Sequence, residues 1–367
     1  MRLAIVCSWL NQYGGAERVL EVLHSMYPDA PFYTSVYQPA ALPAKDRNWD
    51  IRPSFVNRLP LARHKPQLYL PLYPQAFEQF DLRAYDTVLS VTSSFAHGVL
   101  TPPETRHICY CLTPARFLWN YPAYIEREGI GRLARWLLPF YLTRLRMWDR
   151  VAADRVDEFI AISRTVQQRI AKVYQREAAI LYPPVQIGEL AAPQVPEDYY
   201  LIVSRLIPYK RIDLAVQAFN QLGLPLRIVG EGRDKIKLQA LARSNIQFLG
   251  YCSDEQKRQL MARCKAFIFS GEEDFGLAPL EAMAMGRPVV AYAAGGALDT
   301  VVDQKTGVFF TQPTPESLAQ AVIALDGCQF DAGAIQRHAM RFDESVFRAN
   351  MRQILEQHQV SPIGDAG

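Results

Sequence analysis

The chain has 367 residues, 49% hydrophobic and 21% charged, with a formal net charge of +3 at pH 7. This is the composition of an ordinary globular protein, and the length exceeds the usual size of a single core, so two domains are expected. No apolar run reaches the ~20 residues needed to span a bilayer, the N-terminal MRLAIVCSW is too short for a signal peptide, and the small net charge does not indicate a nucleic-acid partner. The six cysteines lack zinc-site spacing, so we expect reduced thiols in a cytoplasmic protein.

The first half of the chain alternates predicted strands with predicted helices. Strands are expected over 3–7, 88–91, 107–111 and 159–162, and helices over 16–26 and 166–174, the latter capped by Ser163. A long basic helix is expected to end near 157. The proline-rich stretch 182–198 follows and interrupts the alternation.

A second alternating series follows that stretch. Strands are expected over 200–204, 226–229, 246–249, 266–269 and 288–292, and helices over 212–222, 235–242 and 253–264. The pattern predicts an α/β protein with two Rossmann-like, doubly wound parallel-sheet domains facing across a cleft. We predict domains over 1–185 and 199–343, a linker over 186–198, and a C-terminal helix with a frayed tail over 344–367 that could return to the first domain.

Residues 266–302, AFIFSGEEDFGLAPLEAMAMGRPVVAYAAGGALDTVV, are the most informative part of the chain. A strand, an acidic turn and a helix that begins near Gly276 form the arrangement in which backbone N–H groups face a phosphate, and a second glycine turn follows at 295–296. Glu273 and Glu281 would repel a phosphate, but carboxylates accept hydrogen bonds well from vicinal hydroxyls. The segment therefore predicts a ligand with a diphosphate between two sugars.

Two cations favour the same ligand. Arg205 follows the first strand of the second series, and Lys210 lies five residues later. Cations at strand ends can neutralise a departing diphosphate, although isolated surface charges are the alternative. Gly230, in the turn 230–232, is as consistent with a plain strand-to-helix turn as with ligand contact.

Glycines also follow the first strand of the chain, at Gly14 and Gly15, where a doubly wound sheet presents a turn to ligand. The pattern G-x-G-x-x-G is absent, so a nicotinamide or flavin site is not supported. Further along, HICYCLTPARFLWNY at 107–121 is rich in aromatic side chains that suit sugar stacking or the packing of an interdomain surface.

Two stretches, 58–73 and 127–155, mix basic residues with aromatic and leucine residues. Either could rest on an anionic membrane, with arginines at the headgroups. The alternative is that the apolar side chains belong to the core and the arginines form a solvated face.

Three motifs together resemble a known family. The combination of 14–17 (GGAE), Ser204-Arg205 with Lys210, and Glu273 through Glu281 resembles the retaining glycosyltransferases of family 4, also called glycosyltransferase group 1, which have the GT-B fold. The likeness spans nearly the whole chain, and its E-x7-E element, Glu273 to Glu281, is the specific part. The segments 204–232 and 270–302 are most similar to bacterial GDP-mannose-dependent mannosyltransferases of O-antigen and exopolysaccharide synthesis.

The resemblance implies a role for each matching residue. Arg205 and Lys210 would hold the diphosphate, Glu273 the donor sugar and Glu281 the ribose, and segment 248–252 would meet the base. The implied catalytic set is Arg205, Lys210 and Glu273. The implied donor-binding set is Gly14, Gly15, Arg205, Lys210, Gly230, Tyr251, Glu273, Phe275, Gly276, Leu277 and Glu281. The implied acceptor-binding set is Glu17, Tyr110, Thr113 and Arg116.

The expected reaction moves a hexose, with mannose from GDP-mannose as the first candidate, to a saccharide or polyprenyl-diphosphate-linked acceptor, at the inner face of the membrane or in the cytoplasm. The anomeric configuration would be retained by same-face attack, with the leaving diphosphate helping to deprotonate the acceptor. No metal or other cofactor is expected, because no D-x-D pair stands at a strand end. Leu112 occupies the place of a histidine in the Tyr-Cys-His-Thr-Pro of many relatives, and it cannot shuttle a proton.

Three alternatives stay open. The donor could be a UDP-sugar. The reaction could be an epimerisation or a phosphorolysis on the same fold, although no acid/base set for an epimerase is evident and phosphorylases usually need pyridoxal phosphate. Finally, the chain could bind nucleotide sugars without catalysis, which Leu112 makes conceivable.

Overall fold

The computed structural model describes residues 1–43, 46–119, 132–188, 190 and 192–357, with the side chains of 132–140 left aside. The chain divides into two compact units. One comprises Met1–Pro184 together with the chain from Phe347 onward, and the other is Val185–Val346. The stretch predicted as a linker therefore groups with the second unit. The predicted tail and residues 127–131 of the second basic stretch lie outside the described residues.

The first unit is built on a seven-stranded sheet in which neighbouring strands are parallel. Its strands are β1 (Leu3–Cys7), β2 (Phe32–Thr34), β3 (Ile51–Pro53), β4 (Thr87–Thr92), β5 (Arg106–Cys111), β6 (Glu158–Ala161) and β7 (Ala178–Ile180). They lie in the order β3-β2-β1-β4-β5-β6-β7. The central strands β1 and β4 are buried at every residue, as expected for a sheet that is covered on both faces.

Helices and short 3-10 turns connect these strands. The helices are α1 (Gly15–Met26), α2 (Tyr73–Glu78), α3 (Arg116–Trp119), α4 (Arg132–Ala153) and α5 (Arg164–Tyr174). The 3-10 turns include Pro39–Ala41, Phe55–Arg58, Pro66–Leu72 and Ala96–Gly98. The predicted cap is present, because Ser163 Oγ accepts from the backbone N–H of Val166 at 3.2 Å. The prediction that the basic helix ends near 157 was wrong, since α4 ends at Ala153 and the chain then turns into β6.

The second unit contains a six-stranded parallel sheet. Its strands are β8 (Tyr200–Val203), β9 (Leu226–Val229), β10 (Ile246–Gly250), β11 (Ala266–Phe269), β12 (Val289–Tyr292) and β13 (Gly307–Phe310). The order is β10-β9-β8-β11-β12-β13. Its helices are α6 (Ile212–Leu222), α7 (Lys235–Leu241), α8 (Asp254–Arg263), α9 (Leu277–Ala284), α10 (Ala297–Thr300), α11 (Pro315–Leu325) and α12 (Ala332–Ala339).

Helix α13 (Glu344–Glu356) begins in the second unit and belongs to the first from Phe347 onward. There its side chains join the core of the first unit. The ring of Phe347 packs edge-on against Tyr110, with centroids 5.7 Å apart, and Arg106 Nη1 donates to the carbonyl of Ile354 at 2.9 Å.

These two parallel sheets confirm the predicted α/β class with two doubly wound units. No helix in the described part of the chain is both long enough and apolar enough to cross a bilayer. The described side chains of the basic helix α4 support the alternative in which its apolar residues belong to the core. Leu142 and Leu145 are buried in the first unit's core, whereas Met147 and Val151 are exposed.

Candidate functional site

The order of the second sheet brings the predicted donor residues together. From β8 the chain continues to β9 on one side, whereas β11 lies on the other side, so the connections that leave β8 and β11 diverge. A crevice forms at such a switch point beyond the carboxyl ends of parallel strands. Residues 204–210 follow β8 and residues 270–276 follow β11, so both predicted segments flank this point.

The two segments are joined by an ion pair between Lys210 and Glu273. Lys210 Nζ pairs with Glu273 Oε1, and the side chains are only 12% and 20% exposed. Such a half-buried pair is screened less by salt than a surface pair. The sequence placed both residues at strand ends, but only the fold shows that they meet.

The backbone of Lys210 is held tightly against the end of β11. Lys210 ends the 3-10 turn Pro208–Lys210, and its carbonyl accepts from Ser270 Oγ at 3.2 Å. A Cβ on Gly271 would lie 2.7 Å from that carbonyl oxygen, so a larger residue there would force the two segments apart. Ser270 and Gly271 thus position Lys210, a role that the motif analysis did not assign to either residue.

Arg205 and Tyr209 lie on the same connection as Lys210. Arg205 is exposed, and its Nη2 donates to the hydroxyl of Tyr209 at 3.3 Å. The ring of Tyr209 is also 5.3 Å from Lys210 Nζ, a cation–π distance. Two cations therefore contact the side chain of Tyr209, which was not among the predicted site residues.

Helix α9 begins at the predicted glycine. Gly276 is its N-cap with φ +91°, and a Cβ there would lie 2.7 Å from Phe269 Cζ. The Phe275 side chain is buried, so its contribution to a ligand would come from the backbone, as the resemblance implies. Leu277 and Glu281 are half-buried on the first turns of α9.

The second glycine turn, Gly295-Gly296, packs against the backbone of the acidic turn at Glu273. The amide of Gly296 donates to the carbonyl of Glu273 at 2.8 Å, and a Cβ on Gly295 would lie 2.1 Å from the same oxygen. The expectation that this turn offers its N–H groups to an anion does not hold for Gly296, whose N–H is used within the protein. Its role is to fix the backbone of Glu273.

Gly230 has an equally tight setting at the end of β9. Its φ is +134°, and a Cβ would lie 1.9 Å from the carbonyl oxygen of Ser204. Its amide donates to Gly250 O at 2.8 Å. Gly230 is therefore required for the close approach of the chain after β9 to the chain after β8. Tyr251, which follows Gly250, is 84% exposed.

In the first unit, the predicted glycine turn follows β1 as expected. Gly14 is the N-cap of α1 and Gly15 its first residue, but Gly14 has extended backbone with φ −168°. A Cβ on Gly14 would make only an ordinary contact with Glu17 Oε2 at 3.6 Å. The fold itself does not demand glycine at 14. Glu17, in the first turn of α1, is buried.

The predicted acceptor residues of this unit have different environments. Tyr110 is fully buried and donates to Leu181 O at 3.0 Å, and burial raises the pKa of its phenol well above the usual value. Tyr110 thus packs in the core. Thr113 is also buried and accepts from Arg169 Nη1 at 3.3 Å, while Arg116 begins α3 and is half-buried.

His107 does not take over the role of the histidine that many relatives have at the position of Leu112. The imidazole is fully buried, its Nε2 lies 2.9 Å from Ser90 Oγ, and burial lowers its pKa to about 3. The ring therefore stays neutral at physiological pH and has no access to solvent.

A buried carboxylate anchors α3, the helix that carries Arg116. Asp149 Oδ2 on α4 accepts from Trp119 Nε1 at 2.7 Å and from the hydroxyl of Tyr174 at 3.0 Å. His97 Nε2 lies 3.4 Å from the other oxygen, and burial raises the pKa of Asp149. No sequence pattern indicated this role for Asp149, because an aspartate within a basic helix is expected to be solvated.

Among the described residues, no group of three or more histidines, cysteines or carboxylates could hold a metal ion. Metal independence nevertheless stays a prediction, since metals can also bind through a substrate diphosphate.

Part of the chain is similar to a known protein family. Residues 191–337 match the family model described as glycosyl transferases group 1. This match places the second unit among the group 1 glycosyltransferases. The predicted family is thereby confirmed.

Relatives of this chain include two named mannosyltransferases. A GDP-mannose-dependent alpha-mannosyltransferase of Mycobacterium tuberculosis is 26% identical in an alignment 342 residues long, which covers 88% of each chain. The alpha-1,3/1,6-mannosyltransferase ALG2 of Mus musculus is 30% identical in an alignment 283 residues long, which covers 67% of this chain and 64% of ALG2. With other curated relatives the match spans only about half the relative's length, 52% in one case, or as little as 21%.

Solved structures support the GT-B fold. Anabaena Alr3699/HepE, solved in complex with UDP, superposes with a TM-score of 0.71 at 18% identity, covering 97% of this chain and all of that one. An identity this low shows the fold alone. The predicted GT-B architecture is confirmed at that level.

Proposed function

We propose that this group 1 glycosyltransferase transfers a hexose, with mannose from GDP-mannose as the first candidate, to a saccharide or lipid-linked saccharide acceptor with retention of anomeric configuration. The observation that carries the proposal is the pairing of Lys210 with Glu273 at the switch point of the second sheet. It sets a cation and a carboxylate side by side where a doubly wound sheet binds its ligand.

Each group has a defined task in this reaction. Lys210 and Arg205 neutralise the charge that develops on the diphosphate as the bond between the anomeric carbon and the phosphate oxygen breaks. Glu273 accepts hydrogen bonds from the donor sugar, and Glu281, one turn into α9, accepts them from the ribose. The acceptor hydroxyl forms the new bond at the anomeric carbon, and its proton passes to the departing diphosphate.

In this scheme the ion pair exchanges partners on donor binding. Lys210 turns to the diphosphate, and Glu273 turns to the sugar hydroxyls, so neither charge is left buried without a partner. The reaction requires no metal ligand from the protein, because the protein's own cations carry the neutralisation. Positioning of the donor supplies the remaining acceleration.

GDP-mannose is the first candidate donor because two relatives are named mannosyltransferases, one of them GDP-mannose-dependent. UDP-sugars are the second candidate donors, because a protein of the same fold was solved with UDP. Tyr251, exposed beside Gly250, is the side chain proposed to meet the base.

The deciding experiment incubates the purified protein with radiolabelled GDP-mannose, and separately with UDP-glucose and UDP-galactose, in the presence of membrane extracts as a source of acceptor. We expect label to enter a saccharide product with GDP-mannose. Transfer from a UDP-sugar alone would reassign the donor. Calorimetric binding of GDP-mannose without transfer or hydrolysis would favour the non-catalytic alternative, and the absence of any nucleotide-sugar binding would reject the proposal.

A further inference from the structure

Residues 51–77 of the first unit contain no aspartate or glutamate. The same segment holds Arg58, Arg63, His64 and Lys65, all exposed. No carboxylate within the described part of the chain forms an ion pair with Arg58, Arg63 or Lys65. In a chain with nearly balanced charges, this segment is therefore a concentrated positive surface.

Two large apolar side chains stand on this surface. Leu61 is 59% exposed and Leu68 is 61% exposed. The other apolar side chains of the segment pack inward, since Val56, Ala62 and Ala76 form a small buried cluster against which Leu59 and Tyr69 rest. The buried apolar cluster of this segment therefore forms without Leu61 or Leu68.

The backbone of Leu61 has an unusual conformation. Its φ is +59°, the left-handed region that a leucine rarely adopts, and its carbonyl accepts from the amides of His64 and Lys65 at 3.0 and 2.8 Å. Glycine would satisfy this turn without steric strain. A leucine here costs stability and is only partly buried within the protein, and such a local cost indicates a function outside the fold.

We propose that the segment from Arg58 to Leu68, which we call the basic leucine turn, docks on an anionic lipid bilayer. Leu61 and Leu68 enter the interface between headgroups and acyl chains, while Arg58, Arg63 and Lys65 lie at the level of the lipid phosphates. Cations together with exposed apolar side chains are the two components that interfacial binding requires. The proposal concerns binding alone and does not rest on the proposed activity.

We assign a membrane as the partner because cations and exposed leucines occur together on the basic leucine turn. A nucleic acid would use the cations but would leave two isolated leucines in water, and it favours aromatic side chains for stacking. An acidic protein partner would also satisfy the cations, and the experiment separates it by using pure lipid.

The test is co-sedimentation of the full chain with vesicles of phosphatidylcholine and phosphatidylglycerol, compared with pure phosphatidylcholine. We expect binding to the anionic vesicles only, weakened by added salt. Leu61→Gly should weaken that binding by roughly ten-fold, since a half-exposed leucine no longer enters the bilayer. The same change should leave the melting temperature equal or higher, because the strain at φ +59° is relieved.

Two matched variants complete the design. Lys65→Gln should weaken vesicle binding by about five-fold, whereas Lys172→Gln, which removes an equal charge from α5, should have little effect. Leu100→Gly removes another exposed leucine of the first unit and should also leave binding unchanged. Equal binding of the wild type to neutral and anionic vesicles, no binding to either, or equal losses in both lysine variants would overturn the proposal.

Discussion

Lys210 and Glu273 form an ion pair that ties the connection after β8 to the connection after β11, with 12% and 20% of the two side chains exposed. The pair is reinforced from both sides. Gly271 and Ser270 hold the backbone of Lys210, and Gly296 holds the carbonyl of Glu273. The site therefore consists of two charged side chains on backbones that have little room to move.

Replacing Lys210 with Ala should lower the turnover number for glycosyl transfer by at least about a hundred-fold, because the leaving diphosphate loses a preorganised cation. The far-ultraviolet circular dichroism should not change. Lys257→Ala is the matched control, since Lys257 also pairs with a carboxylate, that of Asp254, in the same unit. A Lys210→Ala protein with wild-type turnover would remove Lys210 from the catalytic set.

Replacing Glu281 with Ala should weaken GDP binding by roughly ten-fold or more, through loss of hydrogen bonds from the ribose hydroxyls to a charged group. The sharper measurement is a double comparison by calorimetry. The wild type should bind 2′,3′-dideoxy-GDP more weakly than GDP, whereas the Glu281→Ala protein should bind the two nucleotides equally. If the variant still prefers GDP by the wild-type factor, Glu281 does not contact the ribose.

Gly230→Ala should destabilise the second unit strongly, by about 3 kcal/mol or more, because the new Cβ would lie 1.9 Å from Ser204 O at a φ of +134°. Gly223→Ala is the control, since Gly223 also has a positive φ, +70°, but has open space around it. Its cost should stay near the ~1 kcal/mol of a left-handed alanine. If urea denaturation gives both variants the same loss of unfolding free energy, the backbone near Ser204 moves aside for the new Cβ at little cost.

His107→Gln should change how stability depends on pH. Burial lowers the pKa of His107 from 6.5 to about 3, so below about 6.5 the unfolded chain takes up a proton that the folded protein refuses. This histidine therefore makes the wild type lose stability as the pH falls from about 6.5 towards 3. Melting temperatures across that range should fall less steeply for His107→Gln. If the melting temperatures of the two proteins fall equally with pH, His107 takes up its proton in the folded protein as well.

The sequence predicted the second unit better than the first. The strands over 226–229 and 266–269 and the helix over 212–222 have the predicted bounds, because each combines an apolar run or a helical period with a clear turn at its end. Strands β2, β3 and β7 were not predicted. They have only three residues each, too few for a periodic pattern. Strand β13 and helices α11 and α12 lie beyond the motif-bearing segment and were also not predicted.

For the candidate site, residue types and strand ends were enough to select Arg205, Lys210, Glu273 and Glu281, because chemistry at the carboxyl ends of parallel strands follows from the α/β alternation alone. The supporting residues could not be found in this way. Gly271, Gly296 and Asp149 act through contacts with residues distant in sequence, and no local pattern reports a distance of 2.7 Å across two connections.

The amino-acid sequence by itself determined the alternation of strands and helices, the family and the set of charged residues at the sheet edge, because these depend on local propensity, periodicity and short motifs. Only the tertiary structure decided which of these residues meet and which are buried. It paired Lys210 with Glu273, turned the Gly295-Gly296 turn into a support, and left Leu61 strained and exposed. Pairing and burial depend on the strand order of the sheets, which joins segments that lie far apart along the chain.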